Sequence, residues 1–173
     1  MIFSLNRSIE ILSQTPATLQ SLLGGLAEDW TQHNEGPNTW SPYDVLGHLI
    51  HGEKTDWIPR AKIILGEGDK NFVPFDRFAM FEASKGKNLE QLLTEFKELR
   101  KQNIAELKKL NISESDLEKT GIHPVFGAIT LRNLLSTWVT HDLNHIYQIV
   151  RVMAKHYKEE VGPWPPWIRI LNE

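Results

Sequence analysis

Residues 140–150, THDLNHIYQIV, decide the reading of this chain: His141 and His145 stand one helical turn apart on a stripe that is otherwise apolar. Leu131, Leu134, Leu135, Trp138, Ile146, Ile149 and Met153 recur at the three- and four-residue steps of a buried helix face, and the two histidines fall on that side. A neutral imidazole in an apolar wall needs a partner for each ring nitrogen. Two such rings on one face can share a cation and hand their second nitrogens to outer groups. A third histidine, His48, lies in a similar helical segment almost a hundred residues earlier, so the pattern points to a metal site built across a helix bundle.

Working outward, the same 3.6-residue period recurs in three more segments. The first covers roughly residues 4–26, where Thr15-Pro16 resembles an N-cap followed by proline at the first helical position and predicts a kink or a restart. The second starts at Ser41-Pro42 and runs to Gly66, with Pro59 expected to bend it. The third, about 88–110, places Leu89, Leu92, Leu93, Phe96, Leu99, Ile104 and Leu107 inward and gathers lysines toward its C-terminus, where the helix dipole favours them. The fourth, about 131–157, is capped by Thr130. Two long connections separate these helices. Residues 66–87 carry four phenylalanines and are expected to pack as a lid or binding loop, and 111–129 contain GIHPVFGAIT, a candidate extended pair. The expected fold is all-α, a four-helix bundle with long crossover connections.

Composition narrows the function. A chain of 173 residues, 40% hydrophobic, suits one domain, 1–173. The formal net charge of −3 offers no basic field for a phosphate backbone, so nucleic acid is not expected as a partner. The absence of cysteine removes disulfides, thiolate zinc ligands and any internal thiol nucleophile. Thiol chemistry would need a thiol brought by a second molecule. With neither a leader-like N-terminus nor an apolar run of about 18 residues, no membrane association and a cytoplasmic location are expected.

His48 and His51 compete for the third ligand position. Taking Val45 as reference at about 100° per residue, His48 lies about 60° from it and His51 about 120°, which favours His48. His123 is the next candidate, since its irregular segment could fold over the site. Three imidazoles with an open position describe catalytic zinc chemistry, and the same set accepts nickel, cobalt or iron. Asp44, Asn144 and Gln148 are candidates to support the ligands from behind. Glu53 falls inside the apolar stripe of the second helix, where an unpaired carboxylate is costly. It could bind metal, act as a catalytic base, or pair with a basic residue such as Arg151, the ion pair being favoured. Trp40, Trp57 and Trp138 are expected to pack around the helices, and the tail VGPWPPWIRIL (161–171) to seal the end of the bundle.

The stretches WSPYDVLGHLIHGEKTDWIPR (40–60) and LLSTWVTHDLNHIYQIVRVMA (134–154), with the VPFDRF loop (73–78) and the VGPW tail (161–164), resemble the DinB-like superfamily of damage-inducible-type proteins, in particular its DinB-2 type branch. The resemblance implies an up-down-down-up bundle in which His48, His141 and His145 bind a divalent metal, zinc or nickel being favoured. It also implies activities of the kind known in that family, including transferases that use a low-molecular-weight thiol, and pairing of bundles into a homodimer. The expected function is a metal-dependent enzyme activating water or a small-molecule thiol against a small-molecule substrate, as a hydrolase or a thiol S-transferase. The alternatives are a non-catalytic metal- or small-molecule-binding protein of stress response, and a metal-free bundle whose histidines are satisfied by hydrogen bonds.

Overall fold

The computed structural model describes residues 2–172. Seven α-helices occur among them: α1 (Leu5–Leu23), α2 (Glu28–Thr31), α3 (Pro42–Thr55), α4 (Trp57–Leu65), α5 (Ala79–Ser84), α6 (Leu89–Lys109) and α7 (Leu131–Lys155). A two-stranded antiparallel hairpin, β1 (Thr120–His123) and β2 (Gly127–Thr130), leads into α7.

Local chemistry sets the helix starts. Ser41, Asn88 and Thr130 each accept a hydrogen bond from the third helical residue, whose side chain answers to the cap N–H, so three of the four long helices open on capping boxes. The expected bend near Pro59 is present and lies upstream of it. Proline crowds the carbonyl four residues back, at Thr55, and the helix breaks at Asp56 into α3 and α4.

Pro16 behaves differently from expectation. α1 runs through it from Leu5 to Leu23 and neither restarts nor takes Thr15 as a cap. The missing N–H of Pro16 leaves the Leu12 carbonyl free, and Arg100 Nη1 donates to that oxygen at 2.8 Å. A tertiary contact thus replaces the lost helical bond.

Side-chain pairings fix the helix directions. Gln20 meets Glu90 and the Leu12 carbonyl meets Arg100, so α1 and α6 are antiparallel. Tyr43 reaches the Lys87 carbonyl, Glu53 meets Arg100 and Lys62 meets Glu106, so α3–α4 runs parallel to α6. His48 and Glu53 face His141 and Trp138, making α7 antiparallel to α3, and Leu12 shares a cluster with Trp138 while Leu19 shares the other with Ile149, making α7 parallel to α1. The bundle is therefore up-down-down-up. The 66–88 connection is long because two parallel helices cannot be joined by a tight turn.

Two apolar clusters fill the bundle. One gathers Leu12, Ile58, Ile104, Leu135 and Trp138; the other gathers Leu19, Leu46, Leu49, Phe96 and Ile149. Each fully buried side chain of this size contributes roughly 1.5–3 kcal/mol by leaving water. Between the clusters lies a polar layer, since Thr15, Glu53, Arg100 and Asp142 each fall in sequence between residues of the two, and all four are buried.

The connections are packed only in part, since of the four phenylalanines in 66–87 Phe72 is buried whereas Phe78 and Phe81 are exposed. Phe72 and Lys70 exchange backbone bonds with Ile122 on the hairpin, and the Phe72 ring lies so close to Gly121 that a Cβ there would meet it at 2.4 Å. Gly47 plays a similar part beside His48, where a Cβ would fall 2.6 Å from Ser84 Oγ of α5. Leu171 in the tail is buried, but Trp164 and Trp167 are exposed, so the tail covers the bundle through Leu171 and leaves the tryptophans outside. Among the described residues no helix is long and apolar enough to cross a membrane.

Candidate metal centre

α3 and α7 bring three imidazoles to one point. His48 Nε2 lies 3.0 Å from His141 Nε2, which lies 3.1 Å from His145 Nε2. The i,i+4 step places the last two on one face, and the antiparallel approach of α3 delivers the first. His51 is not part of the group; its ring packs on Phe75 with centroids 4.9 Å apart. His123 lies away from it too, stacked on Phe126 at the hairpin turn, so the expectation that its segment folds over the site is not met.

An apolar collar surrounds the imidazoles. Trp40 lies on His48 (ring centroids 4.9 Å), Phe75 meets its edge (5.4 Å) and Trp57 meets the edge of His141 (5.1 Å). Burial, together with the neighbouring imidazoles, pushes the pKa of His48 down to about 3 and that of His141 to about 2. Burial also lowers that of His145, against the opposing pull of Gln148 and Asp142. All three are therefore neutral at pH 7, the form that ligates metals.

The hydrogen bonding favours a cation at their centre. His145 Nδ1 lies 2.8 Å from Gln148 Oε1; assigning the proton to that nitrogen leaves Nε2 with a bare lone pair. Two gaps between three Nε2 atoms cannot both be filled well by protons, whereas one ion accepts all three lone pairs. Nitrogens about 2.0–2.1 Å from an ion are about 3.3 Å apart in tetrahedral geometry and about 3.0 Å apart on an octahedral face, so the two separations from His141 are already those of ligands sharing an ion. The residues present thus fit a divalent metal. His48 Nδ1 and His141 Nδ1 have no hydrogen-bond partner among the described residues, so only His145 hands its second nitrogen to an outer group.

The other candidates sort themselves. Gln148 supports His145, as expected. Asp44 is committed to Ser41, accepting from its hydroxyl (2.8 Å) and its backbone N–H (3.0 Å), and Asn144 is exposed. Glu53 is an ion-pair carboxylate, but its partner is Arg100 (2.8 Å) and not Arg151, which pairs with Glu35. Trp138 Nε1 also donates to Glu53 Oε1 (3.1 Å) and Asn103 Nδ2 to Oε2 (2.9 Å), so both oxygens are occupied. That leaves no lone role for it as a base.

Two buried residues of this layer escaped the sequence reading. Arg100 donates to both oxygens of Asp142 (2.6 and 2.9 Å), to Glu53 and to the Leu12 carbonyl, so one guanidinium joins all four long helices. Burial works against its charge, but Glu53 and Asp142 outweigh that and raise its pKa. The signal was present in the stripe: Leu93, Phe96, Arg100, Ile104 and Leu107 keep the helical step, as do Trp138, Asp142, His145 and Ile149.

Comparison with solved structures finds YfiT from Bacillus subtilis, described as a probable metal-dependent hydrolase with an unusual four-helix bundle topology, at TM-score 0.76 and 22% identity over 90% of each chain. A DinB-like protein from Bacillus cereus is similar at TM-score 0.58 and 15% identity, covering 90% of this chain and 95% of its own. Comparison with curated proteins finds no match. At these identities the two structures speak to the fold, which agrees with the bundle described above. The model of the DinB superfamily matches residues 11–149, most of the chain and all three histidines, and the chain belongs to that superfamily.

Proposed function

We propose that this protein is a metal-dependent enzyme whose divalent ion, zinc or nickel in the first instance, is held by His48, His141 and His145. The observation that carries the reading is the convergence of three neutral imidazoles, two buried and one half-buried, whose ligand atoms lie within 4.8 Å of one another. Such an ion supplies Lewis acidity, lowering the pKa of a water toward about 7 or activating the sulfur of a low-molecular-weight thiol. The chain's own part is to present three preset lone pairs, to orient His145 through Gln148 and to exclude bulk water with Trp40, Trp57 and Phe75. The fold neighbour described as a probable metal-dependent hydrolase supports the hydrolytic form. The lack of any cysteine means that the transferase form would take its thiol from a second molecule.

Elemental analysis of protein purified without a metal-binding tag tests the site. Near one equivalent of ion, lost in His48→Ala and His145→Ala, is expected; no uptake from any reloaded divalent ion would reject it. Turnover of an electrophile that requires both metal and an added thiol selects the transferase form, and thiol-independent hydrolysis of esters or amides selects the hydrolase.

A further inference from the structure

A cavity of about 610 Å³ is lined in part by two residues that touch the histidines. Trp40 forms part of its wall and lies on His48, and Gln148 forms another part while bonding His145. The rest of the lining divides by chemistry. Phe78 and Phe81 add aromatic surface, and Arg77 and Arg151 add positive charge.

The charges are unequal. Glu35 is the one carboxylate of the wall, and it is held by both Arg151 and Lys155, whose hydrogen bonds keep its pKa below the ordinary range although burial opposes this. Arg77 makes neither an ion pair nor a hydrogen bond among the described residues. Its guanidinium lies over the Phe78 ring, 4.9 Å from the centroid, and the neighbouring carboxylate of Asp76 accepts from the Phe78 N–H at 3.0 Å. A guanidinium over an aromatic ring uses the ring face for its charge and keeps five N–H donors to offer a carboxylate. The cavity therefore combines a surplus of positive charge, an aromatic wall and a border on the imidazoles.

We propose that this cavity is the substrate subsite of the histidine centre and selects a small organic carboxylate, its anionic end on Arg77 and its flat apolar body along Trp40 and Phe78. The inference rests on the reading of the histidines as a metal centre, since that is what makes the cavity a substrate site. This one volume joins an exposed cation, an aromatic wall and two residues, Trp40 and Gln148, that touch the imidazoles. The apolar body would then lead along Trp40 toward the His48 side of the centre.

The test uses 2-naphthoate and its neutral analogue 2-naphthamide as probes, with binding followed by calorimetry. Wild-type protein is expected to bind the carboxylate about tenfold more tightly than the amide, and Arg77→Met to bind the two alike. Arg77 is exposed, so its replacement leaves the core untouched, and an unchanged melting curve checks this. Repeating the titration after chelation separates the two readings. A preference that persists without metal and depends on Arg77 supports the subsite, even in a protein that takes up no ion, in which case the metal reading alone fails. A preference that disappears on chelation but survives Arg77→Met places the anion on the metal and overturns the subsite. Equal binding of both probes by the wild type overturns it as well.

Discussion

Two polar groups are buried in this bundle within a turn of each other on α7, and they are built on opposite principles. Around Arg100 every carboxylate oxygen is answered from within the protein, by Arg100 itself, Trp138, Asn103 and Thr15. Around His48, His141 and His145 three nitrogens of the same kind face one another, and two of the three Nδ1 atoms have no partner among the described residues. A closed network fixes structure, whereas an open one is completed by a ligand. Arg100 Nε is also without a partner, so the contrast lies in the lone pairs: those of the carboxylates are all answered, whereas those of the three imidazoles converge on one point with no donor between them to serve all three.

Breaking the closed layer should have the largest effect. Arg100→Met strands Glu53 and Asp142 in the core and is expected to cost about 3–5 kcal/mol in urea unfolding, whereas His145→Ala should cost about 1 kcal/mol in chelated protein while abolishing metal uptake. If the two costs were alike, the division between a structural and a ligand-completed layer would fail.

Acid sharpens the comparison from the other side. The folded pKa values of His48 and His141 lie below the ordinary value of 6.5, so the unfolded chain binds more protons between those limits, and stability must fall as pH drops below about 6.5. At one unit below that value the two together account for about 3 kcal/mol in metal-free protein. Bound metal should shift the fall to lower pH. Denaturant midpoints recorded from pH 7.5 to 5, with and without zinc, check both statements, and a flat profile for the metal-free form would contradict them.

Gln148→Ala is a milder perturbation of the open layer, releasing the one oriented ring. Metal affinity is expected to fall about 10–100-fold in competition with a chromogenic chelator, with the fold intact. The smallest effect belongs to the edge of the closed layer. Pro16→Ala returns an N–H that can bond the Leu12 carbonyl alongside Arg100, and a change within about 1 kcal/mol in either direction is expected from thermal melts.

Much of this molecule was legible because its signals are local. The capping residues Ser41, Asn88 and Thr130 lie within three residues of the groups they satisfy, and the helical period of the apolar residues needs no partner to be seen. The same holds for His141 and His145, one turn apart, and for His48 over His51, which helical geometry separates by angle alone. Glu53 was recognised as costly for its position, but the identity of its partner was not accessible. Arg151 and Arg100 are equally basic in a sequence, and only the packing of α6 against α3 and α7 brings the second into reach.

The sequence by itself therefore determined the helices, their buried faces, the cap chemistry and the three histidines, because each depends on spacing within one segment. The tertiary structure decided what lies across segments. It carried α1 unbroken through Pro16 by supplying Arg100 to the freed carbonyl, set two exposed tryptophans outside the tail's seal, and placed Arg77 and Phe78 from a periodless loop on one cavity wall with Trp40 and Gln148. Those outcomes rest on contacts between residues tens of positions apart, and local periodicity carries no information about which distant groups will meet.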